Sequence, residues 1–416
     1  MATLLVLGAS VSQAPAIRYA RSAGHRVVAV DGDDAAVGFA DADGAECVDF
    51  ADVDAVVEVA RRWDVDGVLA VSSDRAVVPA ATVAYRLGLP GIGVDVACRM
   101  TDKVLMRARL REAGLPQPAH AAVASRAEIH RASGSLRWPC VLKPVDSGGQ
   151  RGLFLAGSAE EAALHLAETL AFSRTGRALL ETYVAGTELN GLIVVRGGRP
   201  TLLTLSDRLR PDGPGFGVGW VHRYPSDLPS EVLECAGEVA CSAVEALGLR
   251  EGIAFPQLIV DSAGDVYVVE VAARIPAGQM ADLALHGGGV NLFDVAIAQA
   301  LGRAVADATV MAQFQRPTVI RFLTAAPGPL PVGTVRAIDG LDRVRAVPGV
   351  LAAGSYFTVG ETIRPVQVDA DRRGYVGATG PDTASALSTA DEAAAKLVVD
   401  VAAEPVTRAT ARPGLR

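Results

Sequence analysis

One stretch of the sequence, from Pro139 to Leu155, constrains the fold most, because a lysine and a glycine-rich turn separate two short apolar segments. Pro139–Leu142 predicts a buried strand, and Lys143 follows it directly. The turn contains Ser147, Gly148, Gly149 and Gly152. Glycines let backbone N–H groups approach an anion closely, and the lysine adds a positive charge. A Walker phosphate loop would need GxxxxGK[ST] before a helix, so the pattern instead predicts a hairpin that closes over a triphosphate.

The composition is typical of a globular α/β protein with two or three domains. The chain has 416 residues, of which 50% are hydrophobic and 43 are Gly, and it is long enough to bury a sizeable core. A net charge of −8 without a dense Lys/Arg patch argues against a nucleic-acid partner. The five cysteines are scattered without a CxxC pair, which favours reduced thiols in a cytoplasm. The N-terminus lacks a secretory pattern, and no apolar run reaches the roughly 18 residues of a membrane helix. We therefore expect a cytoplasmic protein without a membrane partner.

The N-terminal segment predicts a βαβ unit of Rossmann type. Residues 3–7 form an apolar strand, a helix runs to about Ala23, and a second strand ends at Asp31. Ligand contacts are expected where such strands end. The turn after the first strand lacks the second and third glycines of GxGxxG, which leaves NAD binding through Asp31 as a minor alternative. Farther along, Ser73 and Asp74 follow the strand 67–71, where they either contact substrate or cap the next helix.

Two further stretches carry charged residues in unusual places. Lys103 stands at the start of a helix that Thr101 or Asp102 is expected to cap, although cations favour the other end of a helix. A bound phosphate would account for this lysine, and a solvated surface lysine is the alternative. Downstream, an apolar strand over 178–184 contains Glu181 and is followed by Glu188. The alternative for these two residues is a pair of exposed glutamates beside a turn.

A hairpin predicted over residues 252–274 offers oxygen ligands. Its two strands are joined by a short turn and bring Gln257 and Glu270 face to face. Magnesium prefers hard oxygen ligands and takes one or two carboxylates together with phosphate oxygens. Glu270 therefore fits as the main metal ligand and Gln257 as a weaker one. Arg274 is placed to stabilise an acyl phosphate or a tetrahedral oxyanion.

Two glycine-rich regions are candidate substrate loops. Residues 207–223 include Arg208, His222 and Arg223, which are candidates for contacts with a carboxylate or a phosphate. A solvated loop with scattered charge is the alternative. The turn that contains Gly278 can wrap a small substrate, whereas Asn291 in the next turn is expected to cap the following helix.

The two lysines, the glycine hairpin, the two glutamates and the Glu270–Arg274 segment, in this order and spacing, resemble the ATP-grasp superfamily. The variant EVAARIPAG at 270–278 resembles the subgroup of ligases that join amino acids. The resemblance implies an α/β ATP-grasp fold with an N-terminal Rossmann-like domain at 1–98 and two grasp subdomains at 99–190 and 191–314. Residues 315–402 predict Val-rich strands at 318–323, 334–338 and 355–359 and a final helix at 383–402. They resemble a small C-terminal α+β domain, placed at 315–404 and followed by a disordered tail at 405–416 with polar and basic residues.

The resemblance also assigns roles within a site for ATP and Mg²⁺. Lys103, Lys143 and the glycine turn contact the phosphates, and Glu188 accepts hydrogen bonds from the ribose hydroxyls. The adenine is contacted by the backbone of Thr182 and Val184 and by the carboxylate of Glu181.

One residue departs from the family pattern E-x-N-x-R, because Ala272 stands in place of Asn and removes one oxygen ligand. Gln257 is likewise neutral where many family members carry a carboxylate. These departures are interpreted as an altered metal geometry, with loss of catalysis as the alternative.

The expected function is an ATP-dependent carboxylate–amine ligase that forms a peptide-like amide bond through an acyl phosphate. Its partners would be small-molecule carboxylates and amines, such as two amino acids, and homodimers are common in this class. A carboxylase or purine-pathway enzyme of the same fold is one alternative. The other is an ATP-binding protein without turnover, which Ala272 would explain.

Overall fold

The computed structural model describes residues 1–210 and 216–402. Part of the predicted loop 207–223 and the whole of the predicted tail 405–416 therefore lie outside the described residues.

The N-terminal layer is an open parallel sheet with helices on its faces. Its strands are β1 (Thr3–Leu7), β2 (Arg26–Asp31), β3 (Gly44–Cys47) and β4 (Gly67–Ala70), and its helices are α1 (Ala14–Ser22), α2 (Val53–Arg62) and α3 (Val77–Leu87). The strand order is β3-β2-β1-β4, with parallel pairing throughout. Leu4 and Val6 of β1 are buried in one core cluster, and Leu5 and Leu7 are buried in another. Strands that are buried on both faces read as continuous apolar runs, so the Rossmann-like prediction is confirmed.

A small antiparallel sheet carries the predicted glycine hairpin. It follows the helices α4 (Val94–Arg99) and α5 (Lys103–Glu112), and it consists of β5 (His120–Val123), β6 (Cys140–Pro144), β7 (Phe154–Ala156) and β8 (Ala178–Thr182), with α6 (Arg126–Ser133) and α7 (Ala159–Ala171) packed against it. The order is β5-β8-β6-β7. Helix α5 begins as predicted, because the Asp102 side chain accepts hydrogen bonds from the N–H groups of Val104 and Leu105. The hairpin predicted from the sequence is the β6–β7 pair.

The rest of the chain builds a large sheet and a small one. The strands are β9 (Thr187–Arg196), β10 (Arg199–Leu209), β11 (Val221–Tyr224), β12 (Gly252–Val260), β13 (Val266–Ala272), β14 (Thr318–Leu323), β15 (Gly333–Asp339), β16 (Val350–Ser355), β17 (Thr362–Ile363), β18 (Gly374–Thr379) and β19 (Val398–Ala402). The helices are α8 (Ser230–Leu247), α9 (Met280–Gly288), α10 (Leu292–Ala300), α11 (Asp307–Val310), α12 (Leu341–Arg345) and α13 (Thr383–Ala394). Eight strands are ordered β13-β12-β9-β10-β11-β14-β18-β16, and three more form the sheet β17-β15-β19. The large sheet thus continues across residue 315 into the C-terminal part of the chain.

Two of the secondary-structure predictions for the C-terminal part of the chain are wrong. The strand expected at 355–359 lies at Val350–Ser355, because β18 pairs with those residues. The helix expected over 383–402 ends at Ala394, and Val398–Ala402 is a strand. The β-branched residues of β19 pair with β15, so tertiary pairing overrides the helical pattern of the preceding alanines. Within the described ranges, no helix combines the length and the apolar character that crossing a membrane requires.

Candidate active site

One cavity lies between the β6–β7 hairpin, the ends of β8 and β9, the β12–β13 hairpin and a turn near residue 370. Most of the residues predicted for the site line it: Asp74, Lys103, Lys143, Ser147, Gly148, Gly149, Glu181, Thr182, Val184, Glu188, Arg208, His222, Gln257, Glu270 and Arg274. The predicted residues Ser73, Gly152, Arg223 and Gly278 are not among its lining residues.

The centre of the cavity floor is a buried group of charges around Glu181. One of its oxygens pairs with Lys143 Nζ, and the other accepts a hydrogen bond from Arg107 Nη2 at 2.7 Å. Burial would raise the pKa of Glu181, but Lys143 and Arg107 outweigh it and hold the carboxylate charged. Arg107 is fixed in turn by the carbonyl oxygens of Val268 and Val269, at 2.5 and 2.9 Å. The Glu181 carboxylate is therefore placed to position Lys143, and its predicted contact with adenine stays a prediction.

Lys103 is not a solvated surface lysine, since its side chain is only 5% exposed. Its Nζ lies 3.0 Å from Glu270 Oε1 and donates to the Ser147 carbonyl oxygen at 3.0 Å. The carboxylate of Glu270 compensates for a cation at the helix start. Lys103 therefore connects α5 with both the glycine turn and the β12–β13 hairpin.

Three oxygen-bearing side chains lie in one row across neighbouring strands. Glu270 on β13 is opposite Gln257 on β12, as predicted, and Gln257 is opposite Asn190 on β9. All three line the cavity, and the buried Oδ1 atom of Asn190 has no hydrogen-bond partner within residues 1–210 and 216–402. Ala272, at the position where Asn was expected, also faces the cavity and supplies no ligand.

The side chains in this row suit Mg²⁺, because each of the three offers an oxygen atom and one of them, Glu270, is a carboxylate. Among the described residues, no cluster of three or more His, Cys, Asp or Glu side chains has the geometry of a metal site. A magnesium ion held here by Glu270 and Gln257 would complete its shell with phosphate oxygens and water, as this ion commonly does.

Arg274 and Asp74 form a two-point ion pair between the grasp region and the N-terminal layer. The Nε–Oδ1 distance is 2.7 Å and the Nη2–Oδ2 distance is 3.0 Å. Burial acts to raise the pKa of Asp74, but Arg274 together with Lys103 and Arg151 outweighs it and lowers the pKa, which keeps the carboxyl group ionised. Ser73 makes no capping hydrogen bond with its side chain, so capping is wrong for this pair of residues and Asp74 instead orients Arg274.

At the expected nucleotide hinge, Thr182 donates its N–H to the Ala119 carbonyl oxygen at 2.8 Å, and the contact of its backbone with adenine stays a prediction. No hydrogen bond among the described residues uses the N–H of Val184. Glu188 is not a free acceptor, because it pairs with Arg208 Nη1 at 2.5 Å and with Arg210 Nε at 2.7 Å. One carboxylate therefore neutralises only one of two guanidinium groups.

His222 lies deep in the cavity wall with 3% of its surface exposed. Its Nδ1 is 3.1 Å from Asn190 Nδ2, and the ring meets Phe322 edge to face. Burial, followed by the charges of Arg372 and Arg208, lowers the pKa of His222 well below 6.5, so the ring is neutral near pH 7.

Three of the predicted residues that do not line the cavity have surroundings that account for their residue type. Arg223 points the other way along its strand and pairs with Asp207 and Asp227, so its predicted contact with substrate is not supported. Gly152 has φ +65°, and a Cβ there would lie 2.8 Å from Phe172. Gly278 has φ +73° and lies behind His222, close to the cavity but not in its wall.

Several residues that shape the cavity were missed in the sequence. Arg107 lies four residues after Lys103, on the same face of α5, and Asn190 lies two residues after Glu188, on the same face of β9. These spacings could have identified both residues as site candidates from the sequence. Arg210, Tyr183, Asp369 and Arg372 also line the cavity or contact its residues. Asp369 and Arg372 come from a turn that is distant in sequence, and no local sequence pattern predicts that they reach the cavity.

Comparisons with known proteins agree with this architecture. Residues 100–278 match the family model of the ATP-grasp domain, and residues 321–402 match that of the L-amino acid ligase C-terminal domain 2. The uncharacterized protein y4rH of Sinorhizobium fredii is 27% identical over 350 residues, which cover 82% of this chain and 70% of the relative. A D-alanine–D-alanine ligase of Desulforudis audaxviator is 31% identical over 199 residues, which cover 44% of this chain and 62% of that protein.

A solved structure extends the likeness over the whole chain. The L-amino acid ligase of Bacillus licheniformis superposes with a TM-score of 0.82 at 19% identity, covering 97% of this chain and 99% of the other. At that identity the superposition supports the fold alone.

The domain matches define the class of protein, an ATP-dependent ligase that forms carbon–nitrogen bonds. More particularly, residues 100–278 are an ATP-grasp domain, and residues 321–402 are the C-terminal domain 2 of L-amino acid ligases.

Proposed function

We propose that this protein joins the carboxyl group of an amino acid or small acid to the amino group of another amino acid, through an acyl phosphate. The observation that carries this proposal is the convergence of Lys103, Lys143 and the glycine turn with Glu270 and Arg274 around one cavity. These groups come from separate elements, and they include no pairing of a serine or cysteine nucleophile with a base. Positioning and electrostatics are the means by which such a site promotes phosphoryl transfer.

In the first step, an oxygen of the acid attacks the γ-phosphorus of ATP, and the bond between that phosphorus and the β–γ bridging oxygen breaks to release ADP. Lys143, held by Glu181, and Lys103, held by Glu270, place positive charge beside the phosphates. The N–H groups of the glycine turn add donors without a side chain in the way. When bound, Mg²⁺ on Glu270 and Gln257 supplies further charge neutralisation.

In the second step, the amine attacks the acyl carbon, a tetrahedral oxyanion forms, and its collapse expels phosphate and releases one proton. Arg274, oriented by Asp74, is the group proposed to stabilise that oxyanion. The hairpin over the cavity limits the access of water, which would otherwise hydrolyse the acyl phosphate.

The test is ADP and phosphate release from Mg-ATP in the presence of paired pools of amino acids and small carboxylic acids. Release should require one compound from each of two pools, and mass spectrometry should find a product equal to their sum minus water. Single pools and bicarbonate with an amine serve as controls, because a carboxylase would respond to bicarbonate.

Tight ATP binding without ADP formation in any pool would contradict the proposal and favour a nucleotide-binding protein. The variant Ala272→Asn then tests whether the missing oxygen ligand is the reason, since turnover in that variant alone would locate the defect at the metal.

A further inference from the structure

A turn of the C-terminal region reaches the cavity at the end opposite the hinge. Asp369 and Arg372 line the cavity, and their side chains are 22% and 12% exposed. Arg372 Nε donates to the Asp369 carbonyl oxygen at 3.2 Å, and Nη2 lies 3.4 Å from Asp369 Oδ2. The guanidinium group stacks over Phe322, with its central carbon 4.4 Å from the ring centroid. Arg372 is therefore held in place in a largely water-excluded wall.

Hydrogen bonds within the described residues do not use all the N–H groups of Arg372. A guanidinium group carries five N–H donors, and the hydrogen bonds and ion pairs found among the described residues use Nε and Nη2 but not Nη1. A Cβ built on Gly278 would lie 3.6 Å from Nη1 of Arg372 and 3.2 Å from Nε2 of His222. Two nitrogen atoms therefore lie close to the same side of residue 278, and a side chain there would crowd both of them as well as Phe322, whose Cζ would lie 3.4 Å from the added Cβ.

Both nitrogen atoms act as donors. Asn190 Nδ2 lies beside Nδ1 of His222 and donates to it, so the proton of the neutral ring resides on Nε2. Glu188 serves both Arg208 and Arg210, and Asp369 pairs with Arg372 through a single long contact. Over the residues that the structure describes, the charges at this end of the cavity therefore sum to a positive excess, which favours an anion.

We propose that Arg372 and His222, which both line the cavity, form a subsite that binds a substrate carboxylate other than the one that is phosphorylated. This inference rests on the proposed ligase function and narrows it, because at least one substrate must then carry a carboxylate that does not react. That group is either the α-carboxylate of the amine donor, which makes the donor an amino acid rather than a simple amine, or a second carboxylate of the acid.

Binding measurements test the subsite without requiring turnover. The full-length protein is saturated with Mg²⁺ and a non-hydrolysable ATP analogue and titrated with each amino acid and each small dicarboxylic acid, then with the corresponding carboxamides. The wild type should bind at least one of these compounds and prefer it to its carboxamide by roughly 10- to 100-fold, which is the effect of losing a charge-assisted hydrogen bond. Which carboxamide loses affinity, that of an amino acid or that of a diacid, identifies the source of the carboxylate.

The variants assign this preference to Arg372. Arg372→Gln should abolish it while affinity for the nucleotide analogue stays unchanged, and Arg372→Lys should restore part of it. The control Arg364→Gln alters an exposed arginine of the same region and should behave as the wild type.

Three outcomes would overturn the subsite: an Arg372→Gln variant that still prefers the carboxylate, an equal loss of nucleotide affinity in that variant, or a wild type whose binding never depends on a carboxylate. Ligation without that dependence overturns the subsite and leaves the ligase function standing. Carboxylate binding without any ADP formation overturns the ligase function and leaves the subsite standing.

Discussion

At the scale of single residues, the cavity is organised by ion pairs in which one partner positions the other. Glu181 holds Lys143, Glu270 holds Lys103, and Asp74 holds Arg274. Each anion fixes a cation that would otherwise sample many rotamers, and this pre-organisation lets a site stabilise transferred charge without rearranging. An ion pair this buried is weak support for stability, because desolvation offsets much of the attraction. Such an ion pair contributes here by fixing the position of the cation.

The first prediction concerns Lys143 and Glu270. Lys143→Ala and Glu270→Ala should each lower kcat for ADP formation by about 100-fold or more, because each removes a charge that acts on the transferring phosphoryl group. Thermal unfolding should remain a single cooperative transition, since Arg107 still pairs with Glu181. Lys396→Ala, which removes a surface pair with Glu392, is the matched control and should keep wild-type turnover. Near-normal turnover in either active-site variant would mean that the site is wrongly assigned.

The second prediction concerns pH. Burial, Arg372 and Arg208 hold the pKa of His222 well below 6.5, so the unfolded chain binds a proton near that pH while the folded protein does not. The stabilising effect of the neutral ring is therefore present above pH 6.5 and is lost as the pH falls toward the folded-state pKa. In denaturant titrations between pH 7 and pH 5, His222→Gln should reduce the slope of unfolding free energy against pH by up to about 1.4 kcal/mol per unit.

The control for this titration is His130→Gln, which alters a histidine whose side chain is 52% exposed. An unchanged slope in His222→Gln would show that the buried ring does not contribute to the pH dependence.

At the scale of elements, local patterns were sufficient where the chemistry is local. The apolar runs of β1 and β2, the Asp102 cap and the pairing of Gln257 with Glu270 follow from residues close together in sequence. The strand β19 did not follow, because its state depends on β15, some 60 residues away. Lys143 was predicted as a site residue because it belongs to a local motif. Arg372 was not predicted, because its role depends on residues that only the fold brings next to it.

The third prediction concerns the glycine hairpin. A Cβ on Gly148 would lie 2.8 Å from Asp74 Oδ2, so Gly148→Ala should push the turn away from the Asp74–Arg274 pair. We expect kcat/KM for ATP to fall roughly tenfold, the equivalent of about 1.4 kcal/mol, with little change in melting temperature. Gly134→Ala is the matched control, because nothing lies within 4 Å of its added Cβ. Equal kinetics in both variants would show that the turn tolerates displacement.

At the scale of the whole molecule, the cavity is closed by segments that are far apart in the chain. The N-terminal layer contributes Asp74, the hairpin contributes the glycine turn, and the C-terminal turn contributes Arg372. The backbone N–H of Asp369 donates to the Gly149 carbonyl oxygen at 3.2 Å, which joins the C-terminal turn directly to the hairpin.

The fourth prediction follows from that bond. Adding a non-hydrolysable ATP analogue with Mg²⁺ should slow amide hydrogen exchange in residues 145–153 and 366–373 together, because ordering the hairpin also orders the turn bonded to it. Helix α2, none of whose residues line the cavity, is the internal reference and should not change. Protection of the hairpin without any protection of 366–373 would contradict the coupling.

The hydrogen bond between Asp369 and Gly149 also bears on how such an enzyme can be re-engineered. Exchanging the C-terminal region between relatives is an obvious route to new acid or amine selectivity, since that region supplies Arg372. In this chain the same turn is hydrogen-bonded to the β6–β7 hairpin, for which we propose phosphate binding. A transplanted region that lacks a backbone donor at this place would therefore disturb nucleotide handling as well as selectivity, so a successful chimera has to carry the contact across the junction along with the new side chains.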